Sequence, residues 1–251
     1  KVRGGQNRPR TMGCMSETIT YRTLRREDYP ALTALLCDTW HAKPGTDHDL
    51  AMKLAEADLE YSLARTTTAQ VAVQGGTVVG VVLGRIDAAE TRKGVNRHHR
   101  ASMKILASLL FNAQGRAALQ QLKKNEEANR SMLAEAKKEG HAYDAEVVLL
   151  LVDPSVRGQG VGKHLFDWLL GQFKANGVTR YFLYTDTGCD YHFYDRAGLT
   201  RRKVLDMEPH TVQEDAAVQQ ESSDLDEHLH AFLYDNEVAP ANEGVNPLGR
   251  D

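Results

Sequence analysis

The chain has 251 residues, of which 41% are hydrophobic and 26% charged, and 31 Lys and Arg nearly balance 34 Asp and Glu for a net charge of −3. This length allows one or two domains with a full hydrophobic core, so disulfides and structural metals are not needed for stability. The charge balance argues against binding of nucleic acid through bulk positive charge, and no apolar run approaches the roughly 20 residues of a membrane helix. The three cysteines, Cys14, Cys37 and Cys189, are widely spaced, which is typical of the reducing cytoplasm.

The first part of the chain predicts a strand followed by a helix. Residues 1–17 have a basic start and no apolar stretch like that of a signal peptide, so we expect a flexible leader or a tag remnant. Residues 19–24 alternate and are rich in β-branched side chains, which is typical of a strand. Asp28 then predicts an N-cap, and Pro30 predicts the first turn of a helix.

A second helix and a hairpin should follow. From about Asp47, apolar residues recur at spacings of three and four, as on one face of a helix. Residues 70–73 and 77–85 have the composition of strands. Between them, Gly75 and Gly76 favour the positive φ angles of a tight hairpin turn.

Residues 87–143 differ from the preceding part because they are polar, helix-prone and basic. They hold eleven Lys and Arg against six Asp and Glu. We interpret this charge as a solvated helical surface rather than a nucleic-acid site, since the segment has no aromatic platform for stacking bases. Apolar residues at helical spacing predict two helices, the second in one or two pieces. They are Met103, Leu106, Leu109 and Leu110, then Leu119, Leu122, Met132 and Leu133.

The last part of the chain predicts alternating strands and helices in an α/β fold with one central sheet. Residues 146–152 are almost entirely aliphatic, as expected of a strand buried on both faces. The further predicted elements are a helix at 160–176, strands at 181–185, 199–207 and 230–234, a short helix at 190–197, an acidic loop at 208–227 and a tail at 236–251. Together they indicate a single domain over residues 18–235.

A glycine-rich loop joins the aliphatic strand to the next helix, and it reads Arg-Gly-Gln-Gly-Val-Gly-Lys over residues 157–163. Glycines let the backbone approach a ligand closely, and the first N–H groups of a helix have no partner within it. The helix dipole and the charges of Arg157 and Lys163 favour an anion here. The loop therefore predicts a phosphate-binding site.

Two common phosphate-binding patterns do not fit this loop. A Walker A motif would need glycine at Arg157 and Ser or Thr at His164, and a dinucleotide motif would need glycine at Lys163. The pattern that remains is Arg-x-x-Gly-x-Gly, which ends at Gly162. A turn without a ligand is the alternative. Three glycines lower the stability of a helix start, however, and a close approach of the backbone to a ligand would account for them.

Two motifs of this chain resemble those of a known family. One is Val-Asp-Pro-Ser-Val-Arg-Gly-Gln-Gly-Val-Gly at residues 152–162, and the other is Phe-Tyr-Asp-Arg-Ala-Gly-Leu at residues 193–199. The first resembles the acetyl-CoA-binding motif of the GNAT family of N-acetyltransferases, and the second resembles its Phe-Tyr-x-x-x-Gly-Phe element. The resemblance covers residues 18–86, 144–207 and 229–234. It implies the GNAT fold, a mixed and mostly antiparallel sheet flanked by helices, with residues 87–143 as a helical insertion.

The resemblance implies that acetyl-CoA is the co-substrate. In this family the pyrophosphate of CoA lies on backbone N–H groups of the glycine loop, and the pantetheine arm pairs with the strand before it. The residues that this assigns to the cofactor are Leu150, Leu151, Val152, Arg157, Gly158, Gln159, Gly160, Val161, Gly162 and Lys163.

The resemblance also implies a general acid. Tyr194 occupies the position of the family's tyrosine that hydrogen-bonds the thioester sulfur and can protonate the departing thiolate. A phenol suits this role, since it donates a hydrogen bond as charge develops on sulfur. A core tyrosine without a part in the chemistry is the alternative, and Tyr191 is the alternative donor.

Transfer to an amine also needs a group that takes up a proton. Ala-Glu-Val-Val at residues 145–148 resembles the strand of the histone acetyltransferase branch, where the Glu serves as base, which implies this role for Glu146. A strand-end Glu that meets solvent or an Arg is the alternative. The chain departs from the family at Thr187, where Asn is frequent, and at Leu199, where Phe is frequent. We therefore expect no Thr187 contact to pantetheine.

The sequence thus predicts an N-acetyltransferase that moves the acetyl group of acetyl-CoA to a primary amine by direct attack on the thioester. The amine would belong to a small molecule or a protein, and the insertion would lie beside its entrance, because it precedes the strand of Glu146. We expect no metal, and read His98, His99 and His141 as solvated, because no ligand motif includes them. We also expect no nucleic-acid or membrane partner and a cytoplasmic location, and we leave a homodimer open.

Two other functions remain as alternatives. One is a catalytically inactive CoA-binding regulatory module. The other is an interaction protein that uses the basic insertion or the acidic loop. The presence of Gly160, Gly162 and Tyr194 favours the enzyme over both.

Overall fold

Seven strands form one sheet in the part of the chain that the computed structural model describes, residues 18–42, 44–89, 92–207 and 229–238, with residues 92–96 described by their backbone alone. The strands are β1 (Thr20–Thr23), β2 (Thr68–Gln74), β3 (Thr77–Ile86), β4 (Ala145–Val152), β5 (Arg180–Asp186), β6 (Thr200–Met207) and β7 (Leu229–Glu237). Their order is β1-β2-β3-β4-β5-β7-β6, and of these neighbours only β4 and β5 run parallel. The predicted mixed and mostly antiparallel sheet is confirmed, and β7 extends past the predicted domain end at residue 235.

Helices cover both faces of the sheet. They are α1 (Tyr29–Leu36), α2 (His48–Arg65), α3 (Arg92–Leu109), α4 (Ala113–Lys138), α5 (Val161–Ala175) and α6 (His192–Arg196). The insertion consists of α3 and α4, and α4 is one continuous helix. None of the described helices is long and apolar enough to cross a membrane. The predicted leader and acidic loop, and most of the predicted tail, lie outside the described residues.

α5 packs closely on one face of the sheet because a glycine of β3 leaves room for it. A Cβ at Gly84 would lie 2.3 Å from Leu169 Cδ1, closer than real side chains approach. The buried stripe of the helix is Val161, Leu165, Leu169 and Phe173. This close approach holds the N-terminus of α5, and the glycine loop before it, against the middle of the sheet.

The opposite face is covered by α1, α2 and the two inserted helices. α1 and α2 pack on β2 and β3 through leucines that include Leu32 and Leu59. α3 and α4 meet α2 around the buried Leu109, and α4 also contributes Met132 to a cluster with Phe182 of β5. The insertion is therefore part of the core, and its removal would expose apolar surface in two clusters.

The buried face of α3 differs from the apolar stripe that the sequence predicts. Met103 and Leu110 are 52% and 56% exposed, whereas His98 and Ser102 are buried. His98 Nδ1 lies 2.6 Å from Glu60 Oε2 of α2, and Ser102 Oγ donates to a backbone carbonyl of α2 at 3.2 Å. The prediction of a solvated His98 is thus wrong, because partners on α2 satisfy two polar side chains that hydropathy places outside.

Asp28 ties β1 to α1, but its side chain does not cap α1 as the sequence predicts. The carboxylate is 4% exposed and accepts hydrogen bonds from both terminal nitrogens of Arg22 at 2.7 Å. It also accepts the backbone N–H of Arg25 at 2.7 Å. The hydrogen bonds from Arg22 and Arg25 hold the pKa of Asp28 below its ordinary value, against the opposing effect of burial. A charge-assisted fork, rather than a cap, fixes the start of α1.

We expect Asp28→Ala to lower the free energy of unfolding by about 2 kcal/mol, because Arg22 would lose its charged partner. Glu27→Ala is the matched control, since the exposed pair of Glu27 with Arg25 should contribute less than about 0.5 kcal/mol. The pKa of Asp28 is lowered from 3.8, so its contribution is complete above that pH and disappears as the pH falls below it. Urea titrations at pH 7 and pH 3 measure both effects. Equal losses in the two variants, or an Asp28→Ala loss that does not shrink at pH 3, would contradict the assignment.

Candidate active site

Beyond residue 147, the parallel pair of β4 and β5 separates. The two strands are in register only over residues 145–147 and 181–183, although β4 continues to Val152 and β5 to Asp186. On its other edge, β4 stays paired with β3 as far as Val152. The backbone groups on the β5 edge of residues 148–152 therefore face no strand among the described residues. An extended ligand can pair with such an edge.

A β-bulge at Val148 marks the point of separation. Leu83 pairs with Leu149 and Gly84 pairs with Val147, so Val148 is an extra residue opposite β3. A bulge bends its strand and increases the local twist, which accounts for the divergence of β4 from β5. It also changes the side-chain order, since Val147 packs with α5 and Leu149 packs with α1 and α2.

The three strand residues predicted for the cofactor all lie beyond this bulge. Leu150 and Val152 are half-buried on the α5 side, whereas Leu151 is buried among the residues of α1 and α2. Only the backbone of Leu151 is therefore available at the open edge.

The glycine loop follows the open edge and presents unbonded N–H groups. Gly158 and Gly160 have φ angles of 78° and 76°, which other residues adopt only with strain. The first bond of α5 runs from the His164 N–H to the Gly160 carbonyl. The loop N–H groups without an acceptor among the described residues are those of Gly158, Gly160, Val161, Gly162 and Lys163. With the helix dipole, they form a site suited to an anion.

The remaining loop positions contribute differently. The N–H groups of Arg157 and Gln159 each donate to the carbonyl three residues before, at 3.2 and 3.3 Å, so only their exposed side chains are available to a ligand. The Lys163 ammonium forms an ion pair with Asp167 one turn along α5, which partly neutralises its charge.

Tyr194 lies on the short helix α6, packed against α5. Its ring meets Phe166 of α5 edge-on at a centroid distance of 6.0 Å and lies 5.8 Å from the ring of Tyr234 on β7. Its hydroxyl makes no hydrogen bond within the described ranges. Burial raises the pKa of Tyr194, so the hydroxyl is protonated at neutral pH. A phenol in this state can donate a hydrogen bond, and the general-acid role stays a prediction.

The residues around Tyr194 that the sequence singled out have other contacts. The ring of Tyr191 lies 5.1 Å from Phe232 and beneath the guanidinium of Arg201 at 5.2 Å. Thr187 faces β7, where its hydroxyl accepts the backbone N–H of residue 230 at 3.2 Å. Leu199 is buried in the core under α5.

Glu146 lies in the paired part of β4, and its carboxylate is enclosed by two guanidiniums. It is 1% exposed, and its Oε1 accepts a hydrogen bond from Arg65 Nη1 at 2.9 Å. Arg85 Nη1 lies 2.9 Å from its Oε2. The structure thus contains the contact between Glu146 and Arg side chains that the sequence offered as the alternative to a base. The role of Glu146 as a base stays a prediction.

Sequence reasoning missed the polar cluster around Glu146. The guanidinium of Arg65 lies over the ring of Tyr61 at 4.7 Å, and the Tyr61 hydroxyl donates to Glu126 of α4 at 3.2 Å. Arg85 stands directly opposite Glu146 in the register of β3 and β4, so a correct register would have indicated that pair. No local pattern signals the contacts of Arg65 and Glu126, which come from distant helices.

The sequence predicts no bound metal, because its histidines belong to no metal-ligand motif. His141 Nδ1 lies 2.8 Å from Arg180 Nη1, and His99 is exposed on α3. Among the described residues, no group of three or more His, Cys, Asp or Glu is arranged to hold a metal ion.

Two glycines of the same region should respond oppositely to alanine. Gly160→Ala places a Cβ at a positive φ and should lower the free energy of unfolding by about 1 kcal/mol. Gly171→Ala, in the exposed interior of α5 with open space around it, should raise it by about 0.5–1 kcal/mol. Chemical denaturation of both variants measures the difference. A gain of stability in both variants would show that Gly160 is not held in the left-handed conformation, and a loss in both would contradict the open space at Gly171.

Known proteins resemble this chain in sequence and in fold. The model of the Acetyltransferase (GNAT) family matches residues 29–199. Among solved structures, an agmatine N-acetyltransferase variant in its apo form is 16% identical with a TM-score of 0.50, over 87% of this chain and 99% of that chain. A polyamine N-acetyltransferase of Drosophila melanogaster is 15% identical with a TM-score of 0.49, over 88% of this chain and 100% of that one.

A third solved structure aligns with most of this chain. The ribosomal-protein-S18-alanine N-acetyltransferase of Escherichia coli is 14% identical with a TM-score of 0.46, over 91% of this chain and 99% of that chain. No curated protein sequence is significantly similar to this chain. The matched family model runs from α1 through the glycine loop and Tyr194, and the chain is therefore an N-acetyltransferase of the GNAT family.

Proposed function

We propose that this chain transfers the acetyl group of acetyl-CoA to the primary amine of an acceptor, which attacks the thioester directly. The observation that carries the proposal is the continuity between the open edge of β4 and the glycine loop. The edge begins at the Val148 bulge and leads to the unbonded N–H groups at the start of α5. In CoA an extended amide-bearing arm leads to a pyrophosphate, so each of these two parts has complementary partners along this path.

Each segment of the path has its own proposed role. The backbone of residues 150–152 pairs with the amide groups of the pantetheine arm, which satisfies polar groups that face no strand. The loop N–H groups and the dipole of α5 hold the pyrophosphate. The exposed side chain of Arg157 adds a full positive charge, and Lys163 adds part of one.

Two proton transfers complete the proposed reaction. As the amine nitrogen bonds to the acetyl carbon and the carbon–sulfur bond breaks, Tyr194 gives its hydroxyl proton to the departing thiolate. The proton that the amine loses goes to Glu146, and its arrival weakens the ion pairs with Arg65 and Arg85. Before the next turnover Tyr194 takes a proton from solvent and Glu146 releases the one it received, which restores both groups.

The acceptor amine, of a small molecule or a protein, is proposed to enter beside the insertion. Glu126 of α4 accepts a hydrogen bond from Tyr61, and the ring of Tyr61 supports the guanidinium that binds Glu146. The insertion therefore reaches the surroundings of Glu146 through two side-chain contacts, which supports a part for it in acceptor selection.

Acetyl-CoA should raise the thermal midpoint of the protein, because a ligand that binds only the folded state stabilises it by about 2.7 kcal/mol at one hundred times its dissociation constant. Differential scanning fluorimetry measures the shift. Gly171→Ala should keep the shift. Gly160→Ala should reduce it, because a Cβ at the positive φ of Gly160 strains the glycine loop. No shift in the unsubstituted protein at millimolar acetyl-CoA would overturn the proposal. A shift without thiol release, across a screen of amine classes, would indicate an inactive CoA-binding module.

Tyr194→Phe should lower kcat by at least about tenfold and leave the KM for acetyl-CoA within about twofold, since it removes the donor to the thiolate but no binding contact. Tyr191→Phe is the control with the same chemical change on a neighbouring residue, and its kcat should be retained. Initial rates of thiol release with the amine found in the screen measure both. An unchanged kcat in Tyr194→Phe would refute the acid assignment, and a loss confined to Tyr191→Phe would transfer it to that residue.

A further inference from the structure

The helix that carries Tyr194 cannot hold its own position. α6 has five residues, none of them fully buried, although the rings of Phe193 and Tyr194 are half-buried against α5. An isolated helix of this length is far too short to be stable, because nucleation fixes several residues for a single hydrogen bond. The direction of the Tyr194 side chain must therefore be set by contacts between α6 and the rest of the fold.

The strongest polar contact of α6 is made by Asp195, the residue after Tyr194. Its Oδ1 accepts a hydrogen bond from the hydroxyl of Tyr234 on β7 at 2.7 Å, and its Oδ2 accepts one from Arg201 Nη2 on β6 at 2.9 Å. Arg201 Nε in turn donates to the Tyr234 hydroxyl at 2.8 Å. Each of the three side chains is therefore bonded to the other two.

The triangle of Asp195, Arg201 and Tyr234 is anchored in the core. Tyr234 is fully buried, and the guanidinium of Arg201 lies over the rings of Phe232 and Tyr234, at 4.6 and 5.5 Å. Burial and the hydrogen bond to Asp195 raise the pKa of Tyr234 to about 12, so its hydroxyl remains a donor. The hydrogen bond from Tyr234 and the charge of Arg201 in turn lower the pKa of Asp195. The donors and acceptors of the triangle thus keep their roles across the neutral range.

We propose that Tyr234 is a positioning residue, which acts through Asp195 to fix the rotation of α6 and thereby the direction of the Tyr194 hydroxyl. Successive residues of a helix are separated by a constant rotation, so anchoring one side chain orients the next. The ring of Tyr234 also contacts the ring of Tyr194, at 5.8 Å. This inference rests on the proposed role of Tyr194.

The other face of the sheet holds a matched set of side chains. The Tyr143 hydroxyl donates to Asp235 Oδ2 at 2.8 Å, and Arg202 bonds both oxygens of Asp235 at 2.9 and 3.0 Å. Tyr234 and Asp235 are neighbours on β7, where side chains alternate between the two faces of the sheet, so the two sets lie on opposite faces. Tyr143→Phe therefore removes the same kind of hydrogen bond without touching α6.

The first test compares Tyr234→Phe with Tyr143→Phe. We expect Tyr234→Phe to lower kcat about tenfold, since a small misplacement of a reacting group is costly, and to leave the KM for acetyl-CoA within about twofold. Tyr143→Phe should keep kcat, and it should lower the thermal midpoint by about as much as Tyr234→Phe does. Asp195→Ala, at a side chain that is 36% exposed, removes the acceptor of both hydrogen bonds and should repeat the loss of kcat if Tyr234→Phe does not fold. Parallel losses of kcat in Tyr234→Phe and Tyr143→Phe, or no loss in Tyr234→Phe, would overturn the inference.

The second test asks whether Tyr234 acts through Tyr194. In a double-mutant cycle, Tyr234→Phe should have no further effect on kcat in a Tyr194→Phe background. Additive losses would contradict a positioning role. If Tyr194→Phe alone leaves kcat unchanged, the proposed acid is wrong, whereas loss in Tyr194→Phe without loss in Tyr234→Phe refutes only the positioning.

A third measurement needs no activity, and so separates this inference from the proposed function. Hydrogen exchange of the α6 amides should be faster in Tyr234→Phe than in the unsubstituted protein and unchanged in Tyr143→Phe. Equal exchange in all three proteins would show that α6 is held without Tyr234 and would overturn the inference.

Discussion

Among the described residues, the end of β4 has strand partners on one edge only, and the candidate site depends on this asymmetry. β3 holds the strand along its whole length, whereas β5 pairs with it only as far as residue 147. The bulge at Val148 supplies the bend that separates the two parallel strands. Buried backbone groups without partners are costly, so an edge of this kind is stable only when solvent or a ligand can reach it. The same asymmetry brings the strand end and the glycine loop into one continuous polar path.

The two helices that flank this path are held in place by different kinds of contact. α5 is held by a full apolar stripe and by its close approach to Gly84, so the glycine loop starts from a rigid support. α6 has no fully buried residue and is held by aromatic contacts and by the hydrogen bonds of Asp195 to β6 and β7. The ring of Phe166 on α5 contacts the rings of Phe193 and Tyr194 on α6, so the two helices are packed against each other. The proposed phosphate site is thus set by close packing, and the proposed acid is set by a polar network.

Local patterns revealed the parts of this protein that depend on neighbours in the chain. The strand before the loop, the hairpin at Gly75 and the length of α5 follow from alternation, glycine placement and helical spacing, and each is present in the structure. The glycine motif and the tyrosine element were recognisable for the same reason. Predictions failed where a specific polar partner, rather than hydropathy or spacing, decided the outcome. His98 faces inward because its ring nitrogen contacts the carboxylate of Glu60, and Asp28 binds Arg22 instead of capping its helix.

Three features follow from residue types at short spacing: the order of elements, the position of the glycine loop and membership of the family. Three others required the folded structure: which loop N–H groups are unbonded, the position of Glu146 between two guanidiniums, and the orientation of α6. Each of these depends on the register of strands or on side chains separated by tens of residues. Hydropathy and spacing carry no information about such pairs, since the free energy of a buried charge or hydrogen bond is set by the partner it meets.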